Sequence, residues 1–322
     1  MKIIYVTGCA GFIGSYFTRL ALKKGYRVYG VDKMTYASNQ EVIDEFKKNK
    51  RFTFLREDIK DIKHLHNCDA IINFAAETHV DNSINSSTSF IETNVEGVRN
   101  LLELVRNKHS NSIDRPLFVQ ISTDEVYGDI NVGSFKETAP LNPSNPYAAS
   151  KASAEMLVTA WSRTYGIDYT IVRPTNNYGK GQYPEKLIPL AVYNIMNGKK
   201  IKLHNGGAPV RNWLHVEDTA EAVMKILEVE RSLVINKKFN ITADFEQTNY
   251  ETAKKIILSF YGKNEMEFPD FDYLDTKFMR QGQDVRYSVD ASALKNLGWK
   301  AKRNFDKEIK GIVNFYKKEY RW

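Results

Sequence analysis

Two short blocks in this chain carry side chains suited to moving protons and hydrides: Ser122-Thr123-Asp124-Glu125-Val126-Tyr127-Gly128 and Tyr147-Ala148-Ala149-Ser150-Lys151. Tyr147 and Lys151 are one helical turn apart, so on a helix they share a face and the ammonium can lower the phenol's pKa. A free tyrosine ionises near about 10, and bringing it near 7 takes about 4 kcal/mol of differential stabilisation. Lys151 together with a second positive charge beside the ring can supply that, leaving Tyr147 as a base at neutral pH. A tyrosine base suffices for taking a hydride from an alcohol. The neighbouring acids Asp124 and Glu125 suit a further step in which a proton and a hydroxyl leave, which is elimination of water. Each feature also has a plainer reading. Tyr-x-x-x-Lys arises by chance on helix surfaces, and an Asp-Glu pair can cap a turn and face solvent.

Context favours the chemical readings. Thr7-Gly8-Cys9-Ala10-Gly11-Phe12-Ile13-Gly14 follows an apolar first strand and opens a helix. Gly8, Gly11 and Gly14 there allow a tight turn and a close backbone approach, so that a pyrophosphate can rest on the helix N-terminus beside Phe12 and Ile13. Asp32 ends the second expected strand, where a carboxylate can bind a ribose diol and repel a 2′-phosphate. NAD is therefore expected over NADP, a preference that neighbouring Lys33 tempers. Asp58 and Ile59, after the third expected strand, are placed to border the adenine. No cluster suggests a metal.

These motifs need a scaffold that brings strand ends together. Apolar runs at Ile3 to Val6, Val28 to Val31, Phe52 to Leu55, Ala70 to Phe74, Leu117 to Ser122 and Tyr169 to Val172 read as strands. Between them Phe12 to Lys24, Phe90 to Lys108 and Ala148 to Tyr165 have helical apolar spacing. The alternation predicts an α/β fold with a Rossmann-like, doubly wound parallel sheet. Ligands of such sheets sit outside the carboxyl ends of the strands, where the motifs fall. After Arg173-Pro174 the chain turns rich in Asn, Gly and Pro, and then mixes alternating segments (Ile201 to His204, Phe239 to Thr242) with helical ones (Val216 to Glu228, Tyr250 to Tyr261). Residues 1–175 are expected to form the dinucleotide-binding domain, with returns near 213–240 and 287–300. Residues 176–322 are expected to form a smaller, discontinuous mixed α/β substrate lobe.

Bulk properties set the bounds. A chain of 322 residues can bury roughly 75% of its unfolded surface, enough for one large domain or two cooperating ones. The two cysteines, Cys9 and Cys68, argue against a disulfide framework and suit a reducing cytoplasm. Met1 to Val6 reads as a buried strand rather than a signal peptide, and no stretch is long and apolar enough to span a bilayer. The net charge of +7 is scattered in short groups such as Lys47-Lys48-Asn49-Lys50-Arg51, which read as solvated faces rather than a nucleic-acid surface. The surplus also favours anionic small molecules such as dinucleotides and nucleotide sugars.

The motifs together resemble the extended short-chain dehydrogenase/reductase family, and within it the nucleotide-sugar 4,6-dehydratases of the dTDP-glucose type. The resemblance spans nearly the whole chain, through Thr7 to Gly14, Asp32 to Ala37, Phe74 to Asp81, Thr123-Asp124-Glu125, Tyr147 to Lys151, Asn176 to Gly179, Pro184 to Pro189 and Arg211-Asn212-Trp213. It implies a lyase holding NAD tightly, with Ala75 added to the cofactor contacts. Tyr147 would take the proton of the sugar 4-hydroxyl with Thr123 nearby, Glu125 would remove the C5 proton, and protonated Asp124 would donate to the departing 6-hydroxyl. The product would be a 4-keto-6-deoxy sugar. Related epimerases place small residues at the two acids, which separates the classes. An NDP-sugar 4-epimerase and a non-catalytic NAD-sensing protein are the alternatives.

The resemblance also implies substrate positions at Thr78, Asn177, Glu185, Lys186, Leu187, His204, Arg211, Gln283 and Arg286, with Arg211 on the diphosphate. Two segments depart from the family. Lys202-Leu203-His204 stands where a tyrosine usually stacks on thymine, and Arg280-Gln281-Gly282-Gln283-Asp284 replaces an Arg-Pro-Gly-His-Asp. dTDP-glucose is the modal substrate, and a GDP- or UDP-linked N-acetylglucosamine is the rival. A homodimer is expected through a four-helix interface using positions such as Leu101, Leu102, Val105, Met156, Leu157 and Trp161, residues that could equally face the sheet.

Overall fold

The computed structural model describes residues 2–108, 115–263, 273–277, 279 and 284–319. Its first half alternates strand and helix: β1 (Ile3–Thr7), α1 (Phe12–Lys23), β2 (Arg27–Val31), α2 (Gln40–Lys47), β3 (Phe52–Leu55), β4 (Ala70–Asn73), α3 (Val80–Asn85), α4 (Thr88–Ile91), α5 (Gly97–Lys108), β5 (Leu117–Ile121), α6 (Pro146–Tyr165) and β6 (Tyr169–Pro174). There follow β7 (Asn176–Tyr178), α7 (Leu187–Met196), β8 (Ile201–Lys202), β9 (Val210–His215), α8 (Val216–Glu228), β10 (Lys237–Ile241), β11 (Glu246–Thr248), α9 (Asn249–Tyr261), β12 (Leu274–Asp275), α10 (Ser292–Asn296) and α11 (Phe305–Lys318).

Seven strands form one parallel sheet in the order β10-β6-β5-β4-β1-β2-β3. Strand periodicity sorts its side chains between two cores. Ile4, Val6, Ile72, Val119 and Val172 face α1, α2 and α8, whereas Tyr5, Ile71, Phe118 and Ile171 face α5 and α6. The doubly wound sheet is thus present, with the six expected strands in it. Val216 to Glu228 and Phe239 to Thr242, within or beside the return expected near 213–240, join the larger sheet: β10 pairs with β6 at the sheet edge, and α8 packs beside α1 in the first core. The buried apolar residues of both segments find their partners on the larger sheet.

A third core gathers Tyr178, Trp213 and residues of α7, α9 and α11 over a small sheet, β11-β9-β7, and the two-stranded β12-β8. Here β9 runs parallel to β7 and antiparallel to β11, so this lobe is mixed.

The expected helix from Phe90 to Lys108 is interrupted. A π-helical turn, Glu92–Glu96, separates α4 from α5. It places the buried Asn94, whose amide donates to the carbonyl of Glu77 at 3.0 Å and to Ser150 Oγ at 2.9 Å on α6. Leu101, Leu102 and Val105 face the sheet and are fully buried within the chain, which removes them from any interface between copies. Met156 is 61% exposed on α6.

Candidate active site

The carboxyl ends of the central strands open onto a single long cleft. Its floor begins at the turn between β1 and α1. Gly8 has φ +68°, and a Cβ there would lie 2.7 Å from the amide nitrogen of Ala75. A Cβ on Gly14 would lie 2.1 Å from the Gly8 carbonyl oxygen, so both positions require glycine for the turn to close. Asp32, at the end of β2, accepts from the amides of Ala10 (3.0 Å) and Met34 (2.8 Å) and from Ser38 Oγ (2.8 Å). Lys33 is held among Thr93 Oγ1 (3.1 Å), Asp58 (3.5 Å) and Glu77 (3.6 Å). Two carboxylates therefore already engage the Lys33 ammonium. All the expected cofactor positions line this cleft: Gly8, Gly11, Phe12, Ile13, Gly14, Asp32, Lys33, Asp58, Ile59, Ala75, Tyr147 and Lys151.

At its far end the cleft meets the catalytic candidates. Asn145 caps α6 by accepting from the Ala148 amide at 2.9 Å, and Pro146 occupies the first turn, which presets the helix carrying Tyr147 and Lys151. Thr123 closes β5 and accepts from the Glu125 amide at 3.3 Å, opening the short 3₁₀ turn Asp124–Tyr127. Thr123, Asp124, Glu125, Tyr147 and Lys151 all line the cleft.

Burial raises both acids, and their neighbours differ. Burial, with the charge of Glu125 second, pushes Asp124 up to about 8, and one of its carboxyl oxygens is buried without a hydrogen-bond partner among the described residues. A buried oxygen with no donor favours the neutral acid. Burial also raises Glu125, but Arg211, Lys186 and a hydrogen bond to Asn145 pull it back towards ionisation. Both carboxyls are thus raised by burial, and they differ in their neighbours: cations and an amide donor face Glu125, while Asp124 keeps an oxygen with no donor among the described residues.

Tyr147 differs from expectation. Burial and then the charge of Glu125 push its phenol well above its usual value, opposed by a hydrogen bond with Thr123. The Lys151 ammonium does not oppose them: it donates to the Ile121 carbonyl at 2.6 Å, and burial brings it down to about 8. The helix pairing holds, but the stabilisation of a phenolate must come from Thr123 and from whatever fills the cleft.

The substrate candidates separate into groups. Thr78, Asn177, Glu185 and Lys186 line the cleft, with Lys186 donating to the Thr78 carbonyl at 2.9 Å. Arg211 does not line the cleft: it is buried beside the acids, donates to the carbonyls of Val210 (2.7 Å) and Asp284 (3.2 Å), and has its guanidinium 4.5 Å from the Tyr287 ring centroid. Leu187 packs on the lobe core, and His204 sits in the turn after β8, so neither lines the cleft. Arg286 is turned away, bound by both oxygens of Glu246 (2.7 and 2.9 Å) and by the carbonyl of Gly133. A guanidinium so satisfied is a strap for the loop at 130–133 rather than a ligand contact. Gln283 lies outside the described residues.

Tyr287 was not legible in the sequence. Its hydroxyl donates to Asp284 and stands 3.5 Å from Glu125 Oε2, while Ser144 also donates to Asp284. Only the fold brings these distant residues to Glu125; no spacing in the chain signals them.

A nucleotide-cradling parallel sheet with a Tyr-Lys helix and a buried acid pair defines a class, the extended short-chain dehydrogenases/reductases acting on nucleotide sugars. The profile of the GDP-mannose 4,6-dehydratase family matches residues 5–312, and the chain belongs to that family. It is 38% identical to a dTDP-glucose 4,6-dehydratase of Haemophilus influenzae, over 98% of both chains. It is also 38% identical to the low-salt glycan biosynthesis protein Agl12 of Haloferax volcanii, over 97% of this chain and 98% of that one. The crystal structure of DesIV, a dTDP-glucose 4,6-dehydratase of Streptomyces venezuelae with NAD bound, superposes with a TM-score of 0.90 at 36% identity, covering 98% of this chain and 97% of DesIV. A UDP-glucuronic acid 4-epimerase of Bacillus cereus shares the fold, with a TM-score of 0.86 at 23% identity.

Proposed function

We propose that the chain is an NAD-dependent nucleotide-hexose 4,6-dehydratase, a hydro-lyase, with dTDP-glucose as substrate. The observation that carries this is the acid pair: a buried, protonated Asp124 adjoining a Glu125 whose charge is supported by Arg211, Lys186 and Asn145. The relatives named dTDP-glucose 4,6-dehydratase support the substrate.

The cleft residues fit NAD. The glycine turn leaves no room for a Cβ, Asp32 presents its carboxylate at the end of β2, and Lys33 is committed to Asp58 and Glu77 rather than open to a 2′-phosphate. Ser122 Oγ and Thr175 Oγ1, both buried and without a hydrogen-bond partner among the described residues, belong to residues that line the cleft. Bound there, NAD supplies a hydride acceptor for C4 and a donor for C6, with no net oxidation.

Tyr147 takes the proton from the sugar 4-hydroxyl, helped by the hydrogen bond with Thr123. The resulting 4-ketone acidifies C5, Glu125 removes that proton, Asp124 gives its own to the 6-hydroxyl as water leaves, and Glu125 returns its proton to C5 as C6 is reduced. Their neighbours assign the roles: Arg211, Lys186 and Asn145 favour an ionised Glu125, whereas Asp124 has a buried oxygen with no donor among the described residues. Arg211 faces the diphosphate side, with Lys186, Glu185, Thr78 and Asn177 around the sugar. Residues 1–175, with the returns near 213–240 and 287–300, form the cofactor domain and supply the catalytic groups, and the rest of the chain forms the substrate lobe.

Two copies pair through the outer faces of α5 and α6, where Met156 is exposed and Trp161 Nε1 donates to Glu103 at 2.7 Å to tie the helices together. Incubation with dTDP-glucose should yield a product lighter by one water with no net reduced cofactor. Glu125→Gln should lower that rate by about a thousandfold. An epimerase would keep its activity in the variant, and failure of the parent across dTDP-, GDP- and UDP-hexoses would overturn the assignment.

A further inference from the structure

Behind the catalytic groups, and touching none of the cleft, Arg173 is fully buried at the end of β6. Its Nε donates to Glu155 Oε1 at 2.8 Å and its Nη2 to the other oxygen of the same carboxylate. Glu155 is buried on α6, one helical turn beyond Lys151. The remaining guanidinium nitrogen donates to the Tyr127 hydroxyl and to the Glu137 carbonyl at 3.3 Å, and the guanidinium carbon lies 4.6 Å from the Tyr127 ring centroid. Tyr127 ends the 3₁₀ turn that begins with Asp124 and Glu125. Its hydroxyl donates to Asn240 Oδ1 at 2.9 Å, and Asn240 Nδ2 in turn donates to the carbonyls of Phe135 and Asp290, each at 3.1 Å.

One planar guanidinium thus grips the helix of the oxidation pair with two donors and the turn of the elimination pair with a third. A buried ion pair contributes little net stability, so its use here is geometric. We infer that Arg173 and Glu155 are positioning residues that fix the Tyr147-Lys151 helix in register with the Asp124-Glu125 turn, Tyr127 being the link to the turn. Such control matters because a misplacement of about 1 Å can cost about a hundredfold in rate. The carboxylate has a second effect: Glu155 is the charge that opposes the loss of the Lys151 proton on burial.

The inference rests on the dehydratase reading, and the test separates the two. Tyr127→Phe cuts the link to the turn while leaving the Arg173-Glu155 pair intact. Single turnovers with dTDP-glucose should show C4 oxidation, read from nicotinamide absorbance, within about twofold of the parent, and water loss slowed by about tenfold with KM unchanged. Glu155→Gln should move the alkaline limb of the C4 oxidation profile down by about one pH unit as Lys151 loses its supporting charge. Equal slowing of both steps in Tyr127→Phe, or no slowing, would overturn the proposal, as would an unmoved limb in a folded Glu155→Gln. If Glu155→Gln fails to fold because Arg173 is left unpaired, the Tyr127→Phe result alone decides. A parent that releases no water from any nucleotide hexose would instead overturn the dehydratase reading.

Discussion

Asp124 holds a proton at neutral pH because the fold takes its carboxyl out of water and sets Glu125 beside it. In the unfolded chain that carboxyl ionises near about 4. Between there and about 8 the folded state keeps a proton that the unfolded state releases, so this residue's contribution to stability falls as pH rises through that window. Asp124→Asn removes the titration, and its thermal melting temperature should gain on the parent by more at about pH 8 than at about pH 5. A gain that is constant with pH would contradict the assignment of the proton. The same pKa places the alkaline limb of water loss near 8, and the lowered Lys151 places a limb of C4 oxidation there too. The acids, Tyr147 and Lys151 could be read from their types and spacing. The source of phenolate stabilisation could not, because the direction of the Lys151 ammonium depends on the Ile121 carbonyl, which only the folded chain brings to it.

At the scale of elements, the strands were legible wherever both faces are buried, since apolar runs such as Ala70 to Asn73 leave no other reading. The edge strand β10 was harder to place: its sequence also suits a small mixed sheet, and only pairing with β6 assigns it. The π-helical turn at Glu92–Glu96 has no signature in apolar spacing, because one extra residue per turn leaves the pattern nearly helical. The glycine turn between β1 and α1 was read correctly, and its geometry makes a sharp prediction. Gly14→Ala puts a Cβ 2.1 Å from a backbone oxygen that cannot yield cheaply. The variant should lose retained NAD through purification and lower the melting temperature by several degrees, a shift that about 2 kcal/mol produces in a chain of this size. Retention of NAD with unchanged melting would show that the turn is not the cradle.

For the whole molecule, the larger sheet gathers the cofactor-side motifs at one edge, and the smaller lobe brings Arg211, Lys186 and Tyr287 to the same acids. That convergence was legible only in part, since Leu187, His204 and Arg286 were expected at the site and lie elsewhere. The assembly prediction follows from the outer face of α6. Met156→Glu places a charge on the exposed position best suited to an interface between copies, and sedimentation at low concentration should show a shift from dimer to monomer. An unchanged sedimentation coefficient would move the interface to another face.

The most direct measurement follows a deuterium atom placed at C4 of dTDP-glucose. Oxidation at C4, loss of water across C5 and C6, and return of the same hydride predict a product lighter by one water with the deuterium at C6. A hexose of unchanged composition, epimerised at C4 with the label still on C4, would contradict the dehydratase account.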